Sequence, residues 1–149
     1  MTGYYEYASE IEAVIKGFES CTTGKDEFTH RSHLTVAVYY LHNSTQAEAT
    51  DKMRGSLRRF LGHHGLGPGK YHETLTVFWI KTVREFLADL DPKLSLLEIT
   101  NAVIERLGDS SLVFDYYSKE LLGSEEAKKD WVEPDLMLRR QFTDQHFEL

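Results

Sequence analysis

Apolar residues recur every three to four positions along almost the whole chain, and the strict alternation typical of β-strands is nearly absent. Ile11, Ile15 and Phe18, for example, fall on one face of a first helix. Proline, which interrupts helices, occurs only three times. The predicted helices cover about Tyr5–Ser20, His30–His42 after a cap at Thr29, Thr45–Gly62, Tyr71–Ala88, Ser95–Gly108, Ser111–Leu122 and Ser124–Trp131.

Local signals mark where several of these helices begin and end. Thr45 with Glu48, and Ser95 with Glu98, have the spacing of capping boxes. The glycine-rich segment Gly65–Gly69 separates the third helix from the fourth. We therefore predict an all-α fold: residues 1–149 form a single-domain helical bundle of about six helices with an irregular C-terminal arm. The last part of the arm, about 137–149, is predicted to be an extended polar tail.

Charge and composition exclude several classes of function. The chain has 17 lysines and arginines against 24 acidic residues, a formal net charge of −7. This charge disfavours binding to a nucleic-acid backbone or to an anionic membrane surface. We expect no signal peptide, because the first residues lack a positive segment and an apolar run, and no stretch of the sequence approaches about 20 apolar residues. We expect a soluble, cytoplasmic protein that binds neither nucleic acid nor membranes; its oligomeric state is left open.

Two histidines lie on the apolar face of the second predicted helix. At about 100° per residue, Leu34 and Leu41 project within about 40° of His30, and His33 lies about 60° away. His30 and His33 are therefore expected to point into the bundle.

The fourth predicted helix repeats this arrangement. Trp79 and Val83 project about 20° to either side of His72, and the hydroxyl of Thr76 lies about 40° away. His72 and Thr76 are therefore also expected to face inward.

Three inward histidines near the N-terminal ends of two helices predict a polar site. Burial and the positive end of a helix dipole both favour neutral imidazole, which binds metals or acts as a general base. His30, His33 and His72 would hold a divalent metal such as Zn, Fe or Mn and leave one position open. The metal would activate water or polarise a carbonyl, and Thr76 would orient a small polar substrate. In a metal-free version, a histidine is the general base.

Two other hypotheses use the same residues. The polar cluster would bind a small polar ligand without turnover, for example an acid at the two helix N-termini. Alternatively, the protein is an interaction protein whose histidines only bond backbone carbonyls or tyrosine hydroxyls. Imidazole nitrogens that converge within about 4–5 Å on one point favour a site, because metal–nitrogen bonds are only about 2 Å long. Bonds from each ring to separate backbone groups favour a structural role.

The Gly65–Gly69 segment followed by Lys70 is not a phosphate-binding loop of the Walker type. His64 occupies the position of that motif's first glycine, and Tyr71 occupies the position of its serine or threonine. The segment also follows a predicted helix and not a strand. We interpret it as a helix stop and a flexible turn that would gate the pocket.

Four segments together resemble a group of small hypothetical bacterial proteins. The segments are Phe28–Leu34 (FTHRSHL), Tyr71–Thr76 (YHETLT), Tyr116–Ser118 (YYS) and Trp131–Leu136 (WVEPDL). The resemblance covers the chain from about residue 28 to 136 and brings no activity with it. It implies that the histidines of the second and fourth helices belong together with the Trp-Val-Glu-Pro-Asp arm. One departure is Gly69, where an asparagine can precede the Lys-Tyr-His element.

Overall fold

The computed structural model describes residues 4–137, and within that range the chain is all-helical, as predicted. The α-helices are α1 (Ala8–Glu19), α2 (His30–Asn43), α3 (Gln46–His63), α4 (Glu73–Ala88), α5 (Leu96–Leu107), α6 (Lys119–Leu122) and α7 (Glu125–Lys129). Two 3-10 helices, Pro68–Lys70 and Ser110–Asp115, precede α4 and α6. Apart from Met137, the predicted polar tail lies outside the described residues.

Side-chain caps predicted from the sequence begin three of the helices. Thr29 caps α2 by accepting a hydrogen bond from the third helical amide. Thr45 and Glu48 form the predicted capping box of α3, and Ser95 and Glu98 form that of α5. Each cap accepts a hydrogen bond from an N–H group that has no partner within the helix. Such a bond typically stabilises the folded protein by about 1 kcal/mol.

The predicted start of α1 at Tyr5 is wrong by three residues, because the helix begins at Ala8. Tyr5 is held in a different conformation by a side chain of α5. Its backbone N–H donates to Asn101 Oδ1 at 2.9 Å, and Asn101 Nδ2 donates to the Tyr5 carbonyl at 2.9 Å. A tertiary contact therefore occupies the Tyr5 carbonyl, which a longer helix would use, and also pairs the Tyr5 N–H, which would have no partner at the start of a helix.

The predicted helix Ser111–Leu122 is also wrong, because it is divided into a 3-10 helix and the short α6. Ser118 separates the two as the extended N-cap residue of α6, and its hydroxyl accepts a hydrogen bond from Leu121 N. Asp135 fixes this conformation by accepting hydrogen bonds from the Ser118 backbone N–H at 2.8 Å and from its hydroxyl at 2.6 Å.

Helix α2 is the centre of the bundle. It contacts α1, α3, α4 and α5, so apolar residues are buried on most of its circumference. The main core joins α2 to its neighbours through buried side chains such as Phe18, Leu34, Met53, Phe78 and Val103. In the described part of the chain, no helix has the length and apolar character required to cross a membrane.

The C-terminal arm, residues 131–137, is irregular as predicted and is tied to the bundle by hydrogen bonds. The Thr74 hydroxyl in the first turn of α4 donates to the Asp130 carbonyl at 2.8 Å and accepts from Val132 N at 3.2 Å. Tyr117 Oη donates to the Val132 carbonyl at 2.6 Å. These bonds hold the end of α7 against the beginning of α4.

Candidate functional site

His30 points inward, between α4 and α5. Its Nε2 lies 3.0 Å from the Leu107 carbonyl, and its ring meets Trp79 edge-on at a centroid distance of 4.5 Å. Burial lowers the pKa of His30 below its ordinary value, and the Leu107 carbonyl and the charge of Asp109 partly offset this effect. One ring nitrogen is thus engaged with the backbone of a neighbouring helix.

His33 is half-buried, and its Nε2 is shielded from solvent without a hydrogen-bond partner. Burial, with a smaller contribution from His30, lowers the pKa of His33 to about 4. The ring is therefore neutral at pH 7. Among the described residues, Arg31 Nε is the other buried side-chain nitrogen that lacks a partner.

His72 is the N-cap residue of α4 and not part of the helix, which corrects the predicted start at Tyr71. Its Nδ1 accepts a hydrogen bond from Leu75 N at 3.1 Å, and its Nε2 lies 2.6 Å from the Leu122 carbonyl. These bonds assign the proton to Nε2, because a neutral imidazole has one donor and one acceptor. Both nitrogens of His72 are therefore used in structural bonds.

The structure does not support the predicted three-histidine metal site. His30 meets α4 at Trp79, about 10 Å along the helix axis from His72, whereas ligand nitrogens must lie about 2 Å from a shared metal. The described residues contain no group of three or more His, Cys, Asp or Glu side chains that could hold a metal ion. The predicted partner Thr76 is buried and donates its hydroxyl to the His72 carbonyl at 2.9 Å. Catalytic roles for these four residues stay a prediction.

A cleft of about 520 Å³ lies beside the glycine-rich segment. The C-terminal half of α3, the loop before α4, and α7 surround it. Its lining comprises Arg58, Leu61, Gly62, Leu66, Gly67, Pro68, Gly69, Tyr71, Glu125, Lys128 and Lys129. The loop therefore borders a pocket, although this pocket is not the one predicted between the histidines.

Glycines form part of the wall of the cleft. A Cβ atom added to Gly62, Gly67 or Gly69 would meet no atom within 4 Å, so these positions leave free space along the cleft. Gly65 has φ +74°, a left-handed conformation that favours glycine. This glycine therefore forms the turn that follows the end of α3.

A hydrogen-bonded network supports the floor of the cleft. Tyr71 is buried, and its hydroxyl donates to Glu73 Oε1 at 2.6 Å. Arg54 binds the same carboxylate with two bonds, from Nε at 2.9 Å and from Nη2 at 2.7 Å. Burial, together with the bond to Glu73, raises the pKa of Tyr71 to about 12, and Arg54 lowers the pKa of Glu73. Tyr71 therefore stays protonated, and its ring is held in a fixed orientation.

Cations dominate the charged groups of the lining. The Arg58 guanidinium lies over the Tyr71 ring, 4.7 Å from its centroid. Lys128 and Lys129 approach from α7, and Glu125 lies 3.9 Å from the Lys128 ammonium. In a chain with a net charge of −7, the cleft thus brings together three cations and one acid.

Sequence reasoning missed these cations because they come from helices that are distant in the sequence. A weaker signal was present in α3, where Arg58, Leu61 and Gly62 are spaced i, i+3 and i+4 and share one helix face. Nothing local shows that α7 packs against α4 and so brings Lys128 and Lys129 to that face.

Comparison of the chain with protein-family models, with curated proteins and with solved structures finds no match. What the cleft binds must therefore be inferred from its shape and its side chains.

Proposed function

We propose that this protein binds a small organic molecule in the cleft beside the glycine-rich segment. The cleft volume of about 520 Å³ carries the proposal, because small-molecule pockets commonly measure roughly 300–1,000 Å³. Leu61, Leu66 and Pro68 give it an apolar wall, and the ring of Tyr71 gives it a rigid floor. Apolar lining with a few polar groups is typical of sites that recognise a ligand by both shape and charge.

The side chains around the cleft favour binding over catalysis. The lining contains none of the histidines and no cysteine, serine or threonine, so it lacks hydroxyl and thiol nucleophiles of the serine and cysteine type and the imidazole base. Tyr71, whose pKa is raised to about 12, is a poor proton donor or acceptor at neutral pH. These observations favour a module that binds a small ligand without turnover, at a site different from the histidine cluster where the sequence predicted such binding.

A pair of fluorescent dyes tests the proposed site. One is the neutral N-phenyl-1-naphthylamine, and the other is the anionic 8-anilinonaphthalene-1-sulfonate; both become fluorescent in apolar surroundings. We expect at least one dye to bind saturably at one site per chain. We also expect it to shift the backbone amide signals of Gly67 and Gly69 in nitrogen-15 NMR spectra.

Gly62→Leu is the variant that would block the cleft, because a side chain at this position has room to enter it. Gly55→Leu is the matched control: Gly55 lies two turns earlier on α3, is exposed, and also has no atom within 4 Å of an added Cβ. We expect Gly62→Leu to abolish dye binding and Gly55→Leu to leave it unchanged. The proposal is wrong if neither dye binds the wild-type protein, or if both variants bind alike.

A further inference from the structure

We infer that the ligand of this cleft is an amphipathic organic anion, an inference that rests on the proposed function. Its charged group would lie against Arg58 and the lysines of α7, and its apolar ring or chain would cover Leu61 and Leu66. Three features of the cleft favour this ligand class: its local charge, the fixed position of one cation, and the apolar surface beside that cation.

The cleft concentrates positive charge that nearby carboxylates offset only in part: Glu73, which is already paired with Arg54, acts on Arg58 without forming an ion pair with it. Within the described residues, neither Arg58 nor Lys129 has a carboxylate within 4 Å. Lys128 has one, but its distance to Glu125 is 3.9 Å and the Glu125 side chain is 78 % exposed, so that pair is weak. An anionic group in the cleft would therefore gain attraction without first breaking a strong ion pair.

Arg58 is held where it can contact a ligand. Its guanidinium stacks on the Tyr71 ring, and Tyr71 is fixed in turn through Glu73 and Arg54. A cation that is already ordered loses less side-chain entropy on binding than a free one. The planar guanidinium pairs well with a carboxylate, sulfonate or phosphate group, because it can donate two parallel hydrogen bonds.

The apolar side chains define the other half of the ligand. Leu61, Leu66 and Pro68 line the same cleft as the cations. A small inorganic anion would leave this surface uncovered, and a neutral hydrocarbon would leave the cations without a counter-charge. A molecule with one anionic group and one ring or short chain matches both features.

The same two dyes test this inference, because they differ chiefly in the sulfonate group. We expect the anionic dye to bind at least several-fold more tightly than the neutral dye. Its dissociation constant should rise with salt concentration, because attraction between exposed charges is screened. Arg58→Gln and Lys129→Gln should each weaken anionic-dye binding roughly three-fold or more, and by a larger factor than they weaken neutral-dye binding.

Arg59→Gln is the control, since Arg59 is an exposed neighbour on α3 that does not line the cleft. It should leave the binding of both dyes unchanged. The inference of an anionic ligand is wrong if both dyes bind equally well and if Arg58→Gln and Lys129→Gln do not change their binding. If Gly62→Leu still blocks both dyes in that case, the proposed function stands. If Gly62→Leu and Gly55→Leu instead change dye binding to the same extent, the proposed function itself is wrong.

Discussion

His33 makes the stability of the protein sensitive to pH, because the folded and unfolded chains bind a proton on this ring at different pH values. The pKa is about 4 in the folded protein against an ordinary 6.5. Between these values the unfolded chain binds more protons, so stability falls as the pH decreases from 6.5 towards 4. Because of this residue, the free energy of unfolding should fall by about 2 kcal/mol between pH 7 and pH 5.

The His33→Gln variant tests this prediction, since glutamine does not titrate. Urea unfolding at pH 7 and pH 5 should show a smaller difference in unfolding free energy for His33→Gln than for the wild type, by roughly 1–2 kcal/mol. His42→Gln is the control, because His42 is exposed at the other end of α2. If both variants keep the full pH dependence of the wild type, the nitrogen of His33 is not buried in solution as described.

At the scale of single residues, the sequence predicts orientation better than chemical role. The helical spacing correctly places His30 on the inner face of α2, where it meets Trp79. It does not show that the partner of His30 is the carbonyl of Leu107, 77 positions away in the chain. A histidine on an apolar face is consistent with a metal ligand, a base or a structural bond, and only its three-dimensional neighbours distinguish them.

At the scale of the helices, His72 links the start of α4 to the end of α6. Replacing it with asparagine should keep the cap, because asparagine is a good N-cap residue, and should lose the bond to the Leu122 carbonyl. Replacing it with alanine should lose both bonds. We expect a loss of roughly 1 kcal/mol for His72→Asn and roughly 2 kcal/mol for His72→Ala, measured by urea unfolding.

Amide exchange of Leu75 gives an independent measure of the cap. The Leu75 N–H, which donates to His72 Nδ1, should stay protected in His72→Asn and exchange faster in His72→Ala. Equal protection in the two variants would contradict the capping role of this side chain.

Helix boundaries follow from the sequence where the signal is local. The caps Thr45 and Ser95 are correct because a cap involves only a side chain and an amide three residues later. Boundaries fail where a distant group takes over the backbone bonds: Asn101 holds Tyr5 outside α1, and Asp135 holds Ser118 between the two short helices. The partners lie 96 and 17 positions apart, well beyond the few residues that signal a helix boundary.

At the scale of the whole molecule, Thr74 anchors the C-terminal arm and with it the α7 wall of the cleft. Thr74→Val keeps the shape of this buried side chain but removes the bonds to Asp130 and Val132. We expect faster hydrogen exchange at Val132 and in α7, and a loss of roughly 1–2 kcal/mol in unfolding free energy.

Thr100→Val is the matched control for this prediction. Thr100 is also fully buried, but its hydroxyl donates to the Leu96 carbonyl within α5 and does not contact the arm. Exchange in the arm should therefore be the same in Thr100→Val as in the wild type. If Thr74→Val leaves the exchange of Val132 unchanged, the arm is held by its other contacts and not by this hydroxyl.

The sequence by itself determined that the chain is helical, where most helices begin, and which faces they bury. These properties depend on residues within one or two helical turns, so their physical causes are local. Only the tertiary structure decided the hydrogen-bond partners of His30 and His72 and the position of the cleft. Both depend on groups far apart in the chain: His72 with Leu122, and Arg58 of α3 with Lys129 of α7. Spacing along one helix cannot encode which other helix will lie against it.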